Sequence, residues 1–338
     1  MSTDYIGRVI GGRYEIRERI GGGRSATVYK AFDVHCDCYF AFKLIHGHLT
    51  TAPDFIERFT QLAKSLVGLQ HLNIVTVQDF GCLDDDENGQ RCYIVYEYLD
   101  KPTLRARLAA MGEQRLSLDE ALRITTDMTR ALNYAHTEGV IHGDVRPANI
   151  LVKAKEPARL TDFGLLRLIG GEDQAAFGHP AYLAPEQRQN APCDQRSDVY
   201  ALGVLLHELV AGAPPTGNGA LTLAPDLPDG VARIVRRATA PEPDQRYRTA
   251  EMMLDHLLVL AGLHAALRHP SGCIHPTASG GRQRGHARRS AAQAAKSRAP
   301  AIAGHARRRP LRRRHCRRPW RRRNLPTRDR RVGGAPRS

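Results

Sequence analysis

The spacing of apolar residues changes character near residue 100. Before it, alternation of period two recurs in Tyr14-Glu15-Ile16-Arg17-Glu18-Arg19-Ile20, in Thr27–Phe32 and in Tyr39–Ile45. Such runs are half-buried strands, because successive side chains point to opposite faces. Two further strands are read near 74–80 and 92–98, and one helix at 54–70 through Phe55, Phe59, Leu62, Leu66 and Leu69. After residue 100 the recurrence is helical, with Leu118, Leu122, Thr125, Met128, Leu132 and Ala135 on one stripe. A strand-rich half and a helical half bury their apolar faces in different ways. The chain is therefore read as α+β, with a small β-rich N-terminal lobe and a larger helical C-terminal lobe.

Local signals mark several boundaries. Gly21-Gly22-Gly23 interrupts the first two strands and reads as the turn of a hairpin. Ser117 and Glu120 have the spacing of a capping box ahead of the long helix, and Gly139 is placed to end it. More helices are read at 198–211, 229–239 and 249–263. The acidic tip Asp84–Gly89 reads as a solvated hairpin turn, since it lacks EF-hand ligand spacing.

The net charge of +15 is very uneven. Residues 265–338 hold 21 Arg and one Lys against the single acid Asp329, so the rest of the chain carries −6. Periodicity also stops there, and the composition predicts disorder. Runs such as Arg307–Arg309, Arg312–Arg314 and Arg321–Arg323 could neutralise phosphates of nucleic acid or of an anionic membrane. Trp320 is the lone aromatic of the tail, so no stacking platform accompanies them. A solvated extension and an out-of-frame reading of a GC-rich gene are the alternatives. The seven cysteines include no C-x-x-C pair and are read as reduced thiols of a cytoplasmic protein. No apolar run has the length of a membrane span, and the N-terminus has no signal-peptide h-region.

The chemistry lies in a polar constellation. Asp144 and Asn149 fall within His142-Gly143-Asp144-Val145-Arg146-Pro147-Ala148-Asn149, and Asp162-Phe163-Gly164 follows. Carboxylates and an amide carbonyl are hard oxygen ligands of the kind that suit Mg²⁺. With Gly21-x-Gly23-x-x-Ala26-x-Val28, Ala41-Phe42-Lys43 and Gly178-His179-Pro180-Ala181-Tyr182-Leu183-Ala184-Pro185-Glu186, the set resembles the bacterial eukaryotic-like (Hanks-type) serine/threonine protein kinases. The resemblance covers roughly residues 10–264. It implies an N-lobe over 10–96, a hinge over 97–101, a C-lobe over 102–264 and a separate tail.

The resemblance also implies roles. Asp144 would be the catalytic base, assisted by Lys43 and Arg146. Asn149 and Asp162 would hold Mg²⁺. ATP would lie under Ile20, Gly21, Gly22, Gly23 and Ala26, with Val28, Ala41 and Leu151 around adenine and Lys43 on the α- and β-phosphates. The backbones of Glu97 and Leu99 would bond adenine, with Tyr96 as gatekeeper. Asp198 would brace the catalytic loop, and Arg246 would pair with Glu186.

Ala26 stands in place of the family's third glycine and Arg146 in place of its usual lysine, and three further positions depart from the pattern. Leu62 stands where a glutamate normally pairs with the lysine, and Glu57, about 140° round the helix, cannot replace it. His179 replaces a threonine that bonds the catalytic aspartate, so the imidazole either takes that bond or fills the space. Gly143 replaces an arginine that reads activation-loop phosphate, and no Ser or Thr lies between Asp162 and Glu186. The implied function is ATP- and Mg²⁺-dependent phosphorylation of protein Ser/Thr, without control by Ser/Thr phosphorylation of that segment. The alternative is a pseudokinase, a nucleotide-binding or scaffold protein.

Overall fold

The computed structural model describes residues 4–85, 89–112, 115–170, 177–216 and 221–268. The chain divides into two units, 1–274 and 275–338, and the second lies outside the described residues. So does the expected disorder of most of the tail. The centre of the acidic tip, 86–88, and residues 171–176 are also outside them.

The first lobe is an antiparallel sheet of six strands in the order β1-β2-β3-β4-β6-β5. These are β1 (Val9–Ile10), β2 (Tyr14–Gly22), β3 (Ala26–Asp33), β4 (Cys38–Ile45), β5 (Val77–Asp85) and β6 (Gly89–Glu97). Alternation along β4 divides its side chains. Phe42 and Leu44 join Tyr14, Ile16, Tyr29 and Val95 in one apolar cluster. Lys43 lies opposite Val28 in β3 and Ile94 in β6, and Ala41 lies opposite Tyr96, all on the other face. A slip of one residue would bury Lys43 among the aromatics, so the core sets the register that aims the lysine.

Helix α1 (Phe55–Val67) packs on β5 and β6 through buried Phe55, Phe59, Ala63 and Leu66. The second lobe contains α2 (Leu104–Met111), α3 (Leu118–Thr137), α4 (Leu165–Gly170), α5 (Pro185–Arg188), α6 (Gln195–Ala211), α7 (Asp229–Ala238) and α8 (Ala250–Arg268). A small hairpin of β7 (Ile150–Leu151) and β8 (Arg159–Leu160) lies beside them. Ser117 caps α3 by accepting from Glu120 N–H at 3.3 Å. The buried hydroxyls of Thr125 and Thr129 bond carbonyls four residues back, so α3 can carry them in the core. Gly212, at φ +88°, ends α6 by donating to the Glu208 carbonyl.

Three readings need correction or extension. Four cysteines are paired rather than reduced, as Cys36–Cys38 and Cys82–Cys92. Cys82 and Cys92 are direct cross-strand partners in β5 and β6, with Cα atoms 4.0 Å apart, a proximity invisible in cysteine spacing. Cys193 is free, while Cys273 and Cys316 lie outside the described residues. Helix α2 was missed because apolar residues in Leu104-Arg-Ala-Arg-Leu-Ala-Ala-Met form no stripe. Helix α8 continues four residues past the domain end read from sequence. No described helix is long and apolar enough to cross a membrane.

Candidate active site

A cavity of about 730 Å³ lies between the sheet and the helical lobe. The structure brings to its lining Ile20, Gly21, Gly22, Gly23, Ala26 and Val28 from the β2–β3 hairpin, and Ala41 and Lys43 from β4. Glu97 and Leu99 line it from the hinge, and Asp144, Arg146, Asn149, Leu151 and Asp162 from the helical lobe. Every site residue read from sequence therefore reaches one cleft.

The glycines act there through what they lack. None of Gly21, Gly22 and Gly23 has positive φ. The turn closes through Gly23 N–H on the Ala26 carbonyl at 3.0 Å, and a Cβ on Gly23 would meet nothing within 4 Å. The space beside Gly23 is thus open, and the hairpin lies on the wall of the cleft. At the hinge, Glu97 N–H is used by the Thr76 carbonyl, and the Leu99 carbonyl accepts from Lys101 N–H. What these residues have left for a ligand is the Glu97 carbonyl and the Leu99 N–H. The Glu97 carboxylate points elsewhere, to Thr76 N–H and to Arg159.

Asp198 holds the loop that carries Asp144. Its buried carboxylate accepts from His142 N–H at 2.9 Å, Gly143 N–H at 2.7 Å and His136 Nε2 at 2.8 Å. Burial alone would raise its pKa, but these bonds, led by His136, leave it below the ordinary value. His142 is a tie that sequence reading left without a task. Its Nδ1 accepts from Asp144 N–H at 3.0 Å, and its Nε2 donates to the Thr161 carbonyl at 2.9 Å. The ring also packs on Phe163, so one imidazole joins both acidic segments. Gly143 has φ +80°, a conformation that favours glycine, and the Arg167 side chain covers it.

The two oxygens of Asp144 differ. Oδ2 accepts from Arg146 Nε and Asn149 Nδ2, each at 2.9 Å. Oδ1 is buried with no hydrogen-bond partner. His179 does not supply one. Its Nδ1 accepts from Ala181 N–H at 3.3 Å and its exposed ring lies against Tyr182, so the imidazole does not take the threonine's bond to the aspartate.

Lys43 Nζ lies 2.6 Å from Asp162 Oδ2, with both side chains largely buried. Among the described residues no glutamate pairs with the lysine. Leu62 instead presses on Gly164, where an added Cβ would sit 2.6 Å from Leu62 Cδ1. Glu57 is exposed and bonds Gln61. Tyr96 is buried beside this pair, and burial, then the Asp162 charge, pushes its hydroxyl pKa well up. Below the cleft, Arg246 holds Glu186 through two bonds of 2.7 and 2.8 Å. Asn149 donates its Nδ2 to the Asp144 carbonyl and carboxylate, which leaves its Oδ1 for another partner. That oxygen and the Asp162 carboxylate fit a hard cation completed by phosphate and water, as Mg²⁺ prefers. No cluster of three or more His, Cys, Asp or Glu among the described residues offers an all-protein metal cage.

The chain matches the family model of the protein kinase domain over residues 14–261. It is 35% identical over 268 residues to the serine/threonine-protein kinase PrkC of Bacillus subtilis, covering 73% of this chain and 40% of that one. It is 32% identical over 282 residues to the serine/threonine-protein kinase PknA of Mycobacterium tuberculosis, covering 78% of this chain and 64% of that one. It thus spans less than two thirds of either relative. The crystal structure of the Mycobacterium tuberculosis PknI kinase domain superposes with a TM-score of 0.63 at 27% identity, covering 75% of this chain and 98% of that one. A two-lobed fold, a cleft lined by the expected residues and these similarities lead to one assignment: the chain belongs to the protein kinase domain family, among the bacterial Hanks-type serine/threonine kinases.

Proposed function

We propose that this protein transfers the γ-phosphate of ATP to serine or threonine hydroxyls of a protein substrate. The observation that carries the reading is the unpartnered Oδ1 of Asp144 beside a fully engaged Oδ2. Arg146 and Asn149 fix the carboxylate's orientation through Oδ2, and Oδ1, buried and unpartnered, becomes the proton acceptor once an acceptor hydroxyl displaces the atoms that cover it. As that proton leaves, the hydroxyl oxygen bonds the γ-phosphorus, and the bond to the bridging β–γ oxygen breaks to give ADP. Lys43 neutralises phosphate charge, and the hinge groups of Glu97 and Leu99 orient the base. Asn149 and Asp162 would hold Mg²⁺, which would supply neutralisation of phosphate charge. Asp198 and His142 hold Asp144 and Asp162 in register, so little reorganisation is needed at the moment of transfer.

Control by Ser/Thr phosphorylation of the 162–186 segment is not part of this reading. The segment has no acceptor hydroxyl of that kind, and glycine replaces the arginine that would read one. The pseudokinase alternative is favoured by one observation, the replacement of the lysine's glutamate by Leu62. Asp162 takes over the pairing of Lys43, which keeps the first reading ahead.

The test is incubation of the full chain with Mg-ATP and two generic acceptor proteins, one acidic and one basic, against Asp144→Asn. Transfer by the wild type alone is the expected result. Equal signals from the two proteins on both acceptors would leave the scaffold reading standing in its place.

A further inference from the structure

The rim of the cleft carries more cationic donors than the transfer step uses. Arg105, in the first turn of α2, spends a single nitrogen, since Nη2 donates to Tyr182 Oη and Glu208 Oε1, each at 2.9 Å. Its side chain is 47% exposed, whereas that of Glu208 is 3% exposed. The Tyr182 hydroxyl donates to the other Glu208 oxygen. Glu208 is therefore covered, neutralised and hydrogen-bonded on both oxygens, and it shows no free carboxylate to an incoming chain. Arg146 likewise uses only Nε, on Asp144, and its side chain is 30% exposed. The remaining guanidinium donors of both residues have no protein partner among the described residues, and both side chains line the cleft.

The acids of the lining are mostly spent. Glu97 is bound by Arg159, Asp162 by Lys43 and Asp144 by Arg146. Asp100, on the hinge, is the one left without a cation. His179, on the segment that leads to α5, registers the balance. Burial, then the charges of Arg146 and Arg105, hold its imidazole pKa down against weaker opposite pulls from Glu208 and Asp144.

We propose that Arg105 and Arg146 select acceptor segments whose hydroxyl is flanked by carboxylates, and that they disfavour basic segments. The selection rests on the phosphotransfer reading of the same cleft. A guanidinium fork with free N–H groups pairs bidentately with a carboxylate, while an incoming arginine meets like charge and finds Glu208 already occupied. Arg105 acts twice, by offering donors and by covering the acid that would bind a basic side chain.

Three peptides test this, each with one serine flanked by glutamates, by alanines or by arginines. kcat/KM is measured for the full chain and for Arg105→Gln at fixed Mg-ATP. The glutamate peptide should exceed the alanine peptide by about tenfold, the ratio worth about 1.4 kcal/mol of differential binding, and the arginine peptide should be poorest. Arg105→Gln should move the glutamate-to-alanine ratio toward one and improve use of the arginine peptide. The basic segment beyond residue 264 is the same in both proteins, so its attraction for acidic peptides cancels in the comparison. An equal loss on all three peptides would make Arg105 merely structural and overturn the proposal, as would wild-type preference for the arginine peptide. If the wild type phosphorylates none of them, the phosphotransfer reading fails separately. Dissociation constants of the labelled peptides, by fluorescence anisotropy, then decide the selectivity. An acidic preference lost in Arg105→Gln upholds it, and identical constants for the two proteins sink it.

Discussion

At the scale of single residues, the two oxygens of Asp144 stand in different surroundings, and that difference makes a carboxylate useful as a base. Asp144→Asn keeps the shape and the bonds from Arg146 and Asn149 but removes the proton acceptor. Phosphate transfer should fall by about 10²–10⁴-fold, the range for loss of a general base, while Mg-ATP still protects the variant against thermal unfolding. Loss of that protection would mean that Asp144 is needed for binding and not only for transfer. Leu62 is equally local. Gly164→Ala meets two costs, a backbone at φ +69° and a Cβ 2.6 Å from Leu62 Cδ1. The first costs about 1–3 kcal/mol and survives any change at Leu62. The second disappears in Leu62→Ala. In urea unfolding, the double variant should therefore lose less than the sum of the single variants, with a coupling of about 0.5–3 kcal/mol. Strict additivity would show that the leucine does not support the Asp-Phe-Gly turn.

At the scale of elements, the Glu186–Arg246 pair joins α5 to the turn before α8. The Arg246 side chain is fully buried, so deleting its partner strands a charge. Glu186→Gln should cost about 3–5 kcal/mol at neutral pH. Burial pulls the Glu186 pKa up, but the bonds from Arg246 and Ser197 outweigh it and leave it below 4.5. A depressed acid stabilises the fold fully above its unfolded pKa and loses that contribution as pH falls through the folded value. The stability gap between wild type and Glu186→Gln should thus be constant near pH 7 and close progressively below about pH 4.5. A gap that widens on acidification would contradict the pairing. The β5–β6 ribbon carries the second elemental test. Cys82–Cys92 ties two strands already in register, so reduction should lower stability by about 2–4 kcal/mol without unravelling the sheet. Denaturation with and without dithiothreitol, repeated on Cys82→Ala, measures it. A reductant effect that persists in Cys82→Ala would belong to the other disulfide.

At the scale of the whole molecule, two properties separate along the chain. The cleft sits in the part of net charge −6, and the excess of 21 positive charges lies beyond residue 264. Mg-ATP at about 100 times its Kd should raise folding stability by about 2.7 kcal/mol, read as a shift in Tm. The same shift should appear in residues 1–268, which keep all of α8. Any binding to duplex DNA by the basic segment should behave in the opposite way. It should weaken steeply with salt, as counterion release requires, and vanish on truncation to 1–268. Retained DNA binding in the truncated chain would move the polyanion surface into the kinase domain.

The sequence by itself determined the α+β class, because hydrophobic period is a local property that survives in any string of residues. It also supplied the polar residues that line the cleft and the departures from the family pattern, since Asp144, Asn149, Asp162, Leu62 and His179 are identities and not positions in space. Tertiary structure decided what those identities meet. Lys43 and Asp162 are 119 residues apart in the chain and 2.6 Å apart in the fold, and Arg105 and Glu208 are 103 apart and paired at 2.9 Å. Cys82 and Cys92 became partners because a hairpin set their register, and His179 turned away from Asp144 because its ring lies against Tyr182. Such contacts are fixed by packing between elements and leave no periodic trace. The pattern of two acids and an amide was therefore legible from residue types, while the unpartnered oxygen of Asp144 and the covered carboxylate of Glu208 were not.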